Sequence, residues 1–161
     1  MLSHIANLEP STIAMEACSS AHYWARTFSN FGHRVLLYPP QHVKSQRRKQ
    51  KNDYNDAEAI AELALYQRDH PVPHKSIEQQ DVQSLIKMRR LLVTERTRLI
   101  NQVRGLLAEY GVIIAQGKAS FRRAIPEVLE NPDNQLSPIL RELIQQQYDR
   151  YLSIERQVDW F

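Results

Sequence analysis

The sequence predicts a small α/β unit followed by a helical hairpin or coiled-coil arm, with helix predominating. Only four glycines interrupt a chain rich in Leu, Ala, Gln, Arg and Glu, a composition that favours helices. A strand–helix–strand pattern occupies residues 11–38, and helical spacing of apolar residues dominates from residue 76 onward. We therefore expect a first domain at 1–70 and a helical arm at 71–161.

Bulk properties exclude several classes of protein. The 161 residues suit one domain or slightly more, and 42% hydrophobic residues support a real core. Apolar runs such as 35–38 are too short to span a bilayer, and the first residues lack the layout of a secretion signal. The single cysteine, Cys18, excludes an internal disulfide framework and fits a reducing cytoplasm. We expect a cytoplasmic protein whose net charge of +3 is concentrated locally.

Two short strands frame the first unit. Residues 11–16 read as a buried strand that ends on the carboxylate Glu16, and residues 34–38 read as a second strand. Pro39-Pro40 ends the second strand because proline cannot donate to a ladder. With a helix between them, the two strands predict a parallel βαβ unit.

The intervening helix has recognisable ends. Ser19 or Ser20 is suited to cap its start, and Gly32 to stop it. Its apolar residues recur at helical spacing on one face: Ala21, Trp24, Ala25 and Phe28.

A polar connector and a second helix follow. Residues 41–52 are predicted to be a basic connector, and a helix is expected from Asp53 to Arg68. The breaker Asp69–Pro73 ends it. One face of this helix is expected to be apolar: Ala57, Ile60, Ala61, Ala64 and Leu65.

The second half reads as a helical arm. A long helix is expected from Ser76 to Tyr110, with Ser76 and Gln79 forming a capping box. Shorter helices are expected at 119–129 and from Ser137 to the end. The long helix carries apolar residues at helical or double spacing: Val82, Leu85, Leu92, Leu99, Val103, Leu106 and Tyr110.

Three carboxylates are candidates for chemistry. Glu16 ends a predicted strand, and the carboxyl ends of strands are where functional groups gather in open α/β sheets. Asp53 and Asp56 lie three residues apart, on one side of a helix start. Clustered carboxylates repel one another unless a cation neutralises them, and Mg²⁺ prefers such oxygen ligands. A metal beside a basic segment points to chemistry on phosphodiesters.

A simpler interpretation of the two aspartates competes with the metal site. Asp53 is a good helix N-cap, and Asp56 three residues later completes a box and favours the helix dipole. Local spacing alone favours this capping interpretation. Glu16, taken by itself, is typical of an exposed strand end.

Several motifs in order resemble one family, the DEDD-type insertion-sequence transposases. The resemblance covers nearly the whole chain and shifts the balance towards the metal site. It is carried by these segments: MEACSSAHYWAR at 15–26, KNDYNDAEAIAE at 51–62, HKSIEQQ at 74–80, RTRLINQVRGLLAEYGVIIAQG at 96–117 and RRAIPEVLE at 122–130.

The resemblance implies a RuvC/RNase H-like nuclease domain with four carboxylates that bind Mg²⁺. Glu16 matches the family's glutamate, and Asp53 and Asp56 match its last two aspartates. Nothing before Glu16 matches the first aspartate, and no serine-nucleophile domain follows. We therefore expect an incomplete, truncated transposase segment that cannot complete the metal site alone. The resemblance also implies recombination guided by a structured RNA, assembly into oligomers, and a prokaryotic, nucleoid-associated protein.

Two basic segments are candidates for nucleic-acid binding. Each has a simpler interpretation as a solvated surface, but the nearby carboxylates favour phosphate contact for the first. Arginine-rich helices suit DNA and structured RNA alike, which favours nucleic-acid contact for the second. The candidates in the connector are Lys44, Arg47, Arg48, Lys49 and Lys51, and those in the long helix are Arg89, Arg90, Arg96 and Arg98.

The sequence therefore leaves two candidate functions for this chain. The first is DNA transposition, with this chain binding DNA and contributing part of a metal-dependent carboxylate site. The second is a nucleic-acid-binding or oligomerisation remnant without catalysis. The apolar stripe of the long helix is expected to be core or a seam between two copies of the chain.

Overall fold

The computed structural model describes residues 2–47, 50, 52–66 and 70–161. Two compact units divide the chain, the first ending at Gln80 and the second beginning at Asp81. The fold is predominantly helical with a small parallel sheet, as the sequence predicts. Along the described residues the elements are α1 (Leu2–Ala6), β1 (Thr12–Glu16), α2 (Ala21–Asn30), β2 (Arg34–Tyr38), α3 (Pro40–Gln46), α4 (Asp53–Tyr66), α5 (Ile77–Ala108), α6 (Lys118–Glu130) and α7 (Pro138–Trp160).

The strands β1 and β2 pair in parallel. The register runs from Thr12 opposite Arg34 to Glu16 opposite Tyr38, and α2 makes the crossover. The ladder continues one step further, because the Ala17 amide donates to the Tyr38 carbonyl over 2.7 Å. The predicted strand–helix–strand unit is confirmed.

Helices pack on both faces of the sheet, and successive side chains of a strand point to opposite faces. On one face, Met15 and Leu37 pack with Ala21 and Ala25 of α2. On the other, Tyr38 packs with a group from α3 and α4: Val43, Ala59 and Leu63. The even-numbered strand residues, Glu16 among them, therefore share the face that α3 and α4 cover.

The ends of α2 agree with the sequence only in part. Among the described residues, Ser20 makes no capping hydrogen bond through its side chain, and its φ of +66° is left-handed. Ser20 does hold the predicted N-cap position of α2, but the predicted cap through its side chain is wrong. Gly32, with φ of +89°, is confirmed as the stop, and its amide donates to the Ser29 carbonyl over 3.0 Å.

The predicted connector at 41–52 is wrong in its first part, where α3 forms. Pro40 occupies the first turn of α3, where its missing N–H would have no helical partner. Val43 anchors the helix because its side chain is buried against the sheet. One apolar residue among polar ones was too weak a pattern to predict a helix.

The helix α4 starts where predicted, and its predicted apolar face packs against the core only in part, through Ile60 and Ala64. Asn55, Ala59 and Leu63 are its buried residues, whereas Leu65 is 77% exposed. Alanine on most sides of α4 leaves little contrast from which periodicity could select the packed face. The predicted end at Arg68 and the start of the breaker at Asp69 lie outside the described residues.

The predicted capping box opens α5. The Gln79 amide donates to Ser76 Oγ over 3.2 Å, and the Ser76 amide donates to Gln79 Oε1 over 3.0 Å. Two amides at the helix start are thereby satisfied reciprocally. Gly111, with φ of +75°, follows the end of the helix.

The second unit is built from α5, α6 and α7 around one apolar core. The predicted helices at 119–129 and from Ser137 correspond to α6 and α7, and Ser137 Oγ accepts from the Leu140 amide over 3.2 Å. The most deeply buried core residues come from all three helices: Val103, Leu107, Phe121, Ile125, Ile144 and Tyr151. Among the described residues, none of the helices is long and apolar enough to cross a bilayer.

The predicted stripe of α5 is buried only in its middle. Leu92, Leu99 and Val103 lie in the core, with Ile100 and Leu107 beside them. Several stripe residues are instead exposed: Val82, Leu85, Leu106 and Tyr110. Spacing located the stripe, but the packing of α6 and α7 decided which part of it is covered.

Truncating Leu107 tests the core of the second unit. Leu107 is 0% exposed, so Leu107→Ala should lower the free energy of unfolding by about 2–5 kcal/mol, because it leaves a cavity. Leu91 lies on the same helix and is 58% exposed, so Leu91→Ala should change it by less than about 0.5 kcal/mol. Urea unfolding of both variants measures the difference, and equal shifts would contradict the assigned packing.

Alkaline titration tests the environment of Tyr151. Burial raises the pKa of the Tyr151 phenol, and the Glu155 carboxylate raises it further. The folded chain therefore holds this proton more tightly than the unfolded chain does. The resulting stabilisation is present below the ordinary tyrosine pKa of about 10 and is lost as pH rises through the raised value. Tyr151→Phe should lose less stability than the parent over that alkaline range, and parallel pH profiles would contradict this.

Candidate functional site

A cavity lies at the carboxyl end of β1. It measures about 400 Å³, and residues of α3 and α4 are part of its wall. The parity of β1 places Glu16 on the covered face of the sheet, so its carboxylate lies at this cavity and not on the α2 side. The lining residues are Glu16, Pro40, Val43, Lys44, Arg47 and Asp56.

The cap of α4 is Asn52, not Asp53. Asn52 Oδ1 accepts from the Asn55 amide over 2.8 Å, and the Asn52 carbonyl accepts from the Asp56 amide over 3.0 Å. The capping interpretation of Asp53 is therefore wrong, because the preceding asparagine already fills that role. The sequence could have indicated Asn52 as the cap, since asparagine is among the preferred N-cap residues.

The three predicted carboxylates are only partly brought together. Glu16 and Asp56 line the cavity, whereas Asp53 is exposed and is not among the lining residues in the described part of the chain. Over residues 2–47, 50, 52–66 and 70–161, no cluster of three or more His, Cys, Asp or Glu side chains could hold a metal ion. The metal assignment of Glu16, Asp53 and Asp56 stays a prediction.

Asp56 forms an ion pair with Arg47. Arg47 Nη1 donates to Asp56 Oδ1 over 2.6 Å, and the two side chains are 16% and 19% exposed. Lys44 is a second cation on the cavity wall, so two basic groups balance two acidic ones. The cavity is therefore close to electrically neutral, whereas a divalent cation is held by a surplus of carboxylate.

The basic connector is only partly described. Lys44 lies exposed on α3 and Arg47 follows the end of that helix. Three further predicted phosphate contacts lie outside the described residues: Arg48, Lys49 and Lys51. Gln46, between the two described cations, ties α3 to α4 because its amide donates to Glu62 over 2.5 Å.

The arginines of α5 differ in their surroundings. Arg89, Arg90 and Arg98 are exposed. Arg96 instead donates to the Glu155 carboxylate of α7 and is 15% exposed. Arg96 therefore holds α5 to α7, which no feature of its sequence context indicated. Its predicted contact with nucleic acid would have to compete with that ion pair.

A larger groove of about 830 Å³ lies along the same face of the sheet, on the side of the predicted apolar face of α4. Ala57, Ala61 and Leu65 line it together with Thr12 and Leu36. The predicted apolar face of α4 thus borders an open groove in the first unit.

The comparisons with known proteins identify the family. A family model for DEDD-type transposases of the IS110 group, described as a transposase, matches residues 1–112. The chain therefore belongs to the IS110 family of DEDD transposases, which confirms the resemblance seen in its motifs. No solved structure matches the chain.

Curated relatives carry the same description. The chain is 42% identical to the transposase for insertion sequence element IS1111A of Coxiella burnetii, over 94% of this chain and 42% of the relative. It is 42% identical to a probable family 20 transposase of Pseudomonas aeruginosa, over 94% of this chain and 45% of the relative. It is 34% identical to the transposase for IS1328 of Yersinia enterocolitica, over 96% and 46%. The chain spans less than half the length of these relatives.

Removing Arg47 tests the ion pair at the cavity. Arg47→Ala should lower the free energy of unfolding by about 1–2 kcal/mol, between the values for exposed and buried pairs, because Asp56 stays largely buried without its partner. Lys44→Ala removes the same charge from an exposed position on the same cavity wall and should change it by less than about 0.5 kcal/mol. Thermal or urea unfolding measures both, and equal effects would show that the pair contributes nothing specific.

Proposed function

We propose that this chain is the part of a DNA transposase that binds DNA and contributes Glu16, Asp53 and Asp56 to a metal-dependent carboxylate site. The observation that carries the proposal is that Glu16 of β1 and Asp56 of α4 line one cavity. The two residues are 40 positions apart along the chain. Because the chain belongs to a transposase family, we interpret these two carboxylates as part of a metal site. The capping role of Asn52 supports it further, because the start of α4 does not need Asp53 as its cap.

The ion proposed for the complete site is Mg²⁺. It takes oxygen ligands and keeps waters that a phosphate oxygen can displace. The described residues do not fit it by themselves, because Asp56 is bound to Arg47 and the cavity has as many cations as carboxylates. We propose that a further carboxylate is needed before Arg47 releases Asp56, and we assign no chemical step to the chain alone.

The first unit is proposed to be part of a RuvC/RNase H-like domain. A parallel strand pair with helices on both faces, and carboxylates at the carboxyl end of β1, supports this assignment. The assignment of 1–70 to a nuclease domain and of 71–161 to a helical arm goes with it.

Homo-oligomerisation is proposed to use α5. Four apolar residues of its first half are exposed although they continue the stripe that is buried further along: Val82, Leu85, Ile86 and Met88. A second copy could cover such a stripe in a coiled coil. A structured guide RNA is the further partner proposed from the family resemblance.

The second candidate function is nucleic-acid binding without catalysis. The exposed cation Lys44 on the cavity wall favours it, because Lys44 can contact a phosphate whether or not a metal binds. Arg47 would contact a phosphate only in competition with its ion pair to Asp56. The two candidates differ in what the carboxylates do, and not in whether the chain binds DNA.

Duplex DNA binding and cleavage by the purified chain test the proposal. We expect salt-dependent binding without metal and no robust Mg²⁺-dependent cleavage. Combining Glu16→Gln, Asp53→Asn and Asp56→Asn should weaken Mn²⁺ binding, measured by calorimetry, by roughly tenfold, the effect of about 1.4 kcal/mol. Metal-free DNA binding should survive in this variant.

The matched control is Glu58→Gln, an exposed carboxylate on α4 outside the residues that line the cavity. It should leave Mn²⁺ affinity unchanged. Robust cleavage by the unaltered chain would overturn the proposed incompleteness of the site. Equal Mn²⁺ affinity in all three proteins would favour the non-catalytic candidate, and absence of DNA binding would overturn both.

A further inference from the structure

The helix α5 has two chemically different sides in the second unit. One side packs against α6 and α7 through Leu92, Leu99 and Val103. The opposite side is exposed and, beside Leu91, mainly polar; its polar residues recur at steps of three or four, so they form one row on the helix. We name this row the outer stripe: Lys87, Arg90, Thr94, Arg98 and Asn101.

The outer stripe is cationic and contains no acid. Glu95 is the single acid of α5 between Val82 and Ala108, and it pairs with Arg150 of α7. Arg96 is likewise bound by Glu155 on the packed side. Within the part of the chain that the structure describes, no ion pair involves Lys87, Arg90 or Arg98.

The separation of charges along α5 is thus built into the packing of the second unit. Ion pairs with α7 neutralise Glu95 and Arg96, Arg104 donates to the Ile114 carbonyl, and the exposed Arg89 lies off the row. Three cations, Lys87, Arg90 and Arg98, share the outer side. Thr94, the neutral residue in the middle of the row, turns its hydroxyl inward, donating to the Arg90 carbonyl over 2.9 Å. It therefore adds little bulk between the cations on either side.

The length of the stripe suits a polyanion. At 1.5 Å per residue, Lys87 and Asn101 are about 21 Å apart along the helix axis. Duplex DNA presents one phosphate for about every 1.7 Å of its axis, counting both strands, so phosphates are available along this whole length. Leu91 is the exposed apolar neighbour of the row, between Lys87 and Thr94, so the three cations, and not a lack of apolar surface, favour a polyanion on this side.

We propose that the outer stripe binds the sugar–phosphate backbone of duplex DNA and positions it without reading its sequence. The inference rests on the proposed function for its choice of DNA, and it goes further by naming the surface. It separates the arginines of α5 by role: Arg90 and Arg98 contact phosphate with Lys87, and Arg96 maintains the fold. Contacts to phosphate are expected to carry no sequence preference.

The test uses the full chain with three charges removed: Lys87→Gln, Arg90→Gln and Arg98→Gln. A matched control removes three exposed cations from α6 and α7: Arg122→Gln, Arg123→Gln and Arg156→Gln. Fluorescence anisotropy with two duplexes of unrelated sequence measures affinity at several salt concentrations. Circular dichroism checks that helix content is unchanged, as expected for exposed positions.

The stripe variant should bind both duplexes roughly tenfold or more weakly than the unaltered chain, with the salt slope smaller by about 3, near one unit for each lost phosphate contact. The control should fall by less than about threefold. If control and stripe variant lose the same affinity, the stripe is overturned while DNA binding by the chain stands. If the unaltered chain binds neither duplex, the proposed function fails with it. Preferential binding to an RNA hairpin, lost in the stripe variant, would overturn the choice of DNA.

Discussion

The parallel register of β1 and β2 is the constraint on which the first unit depends. It sets Glu16 opposite Tyr38 at one end of the sheet, on the face that α3 and α4 cover. A shift of one residue would turn Glu16 to the α2 side and remove it from the cavity. The ion pair between Arg47 and Asp56 then fixes the start of α4 against that same end. Fold and candidate site are thus consequences of one pairing.

The ion pair also explains why the candidate site can be stable without a metal. A half-buried aspartate must be neutralised, and here an arginine does so from within the same unit. A divalent ion would have to replace that arginine, which requires more negative charge than Glu16 and Asp56 provide. The balance of charge in the cavity, more than the identity of any single residue, determines what it can bind.

Much of this could be predicted from the sequence, for identifiable reasons. Predictions based on short-range patterns were confirmed. They are the two strands, the Gly32 stop and the capping box at Ser76, each of which depends on neighbours only a few residues away. The buried face of α4 could not be predicted, because alanine makes its sides alike. The ion pair between Arg96 and Glu155 joins residues 59 apart, and nothing local marks such a partner. The polarity of β1 predicted that Glu16 and Asp56 would lie close together. It did not predict that Arg47 would pair with Asp56.

We propose that Glu16 and Asp56 belong to one cation site that Arg47 keeps closed. Paramagnetic broadening by Mn²⁺ in the isotopically labelled chain is the sharpest test, because it locates the bound ion residue by residue. We predict selective broadening at the end of β1 and the start of α4, weak in the unaltered chain and stronger in Arg47→Ala. Broadening that is absent from both regions in both proteins, or that is centred on other carboxylates, would contradict the account.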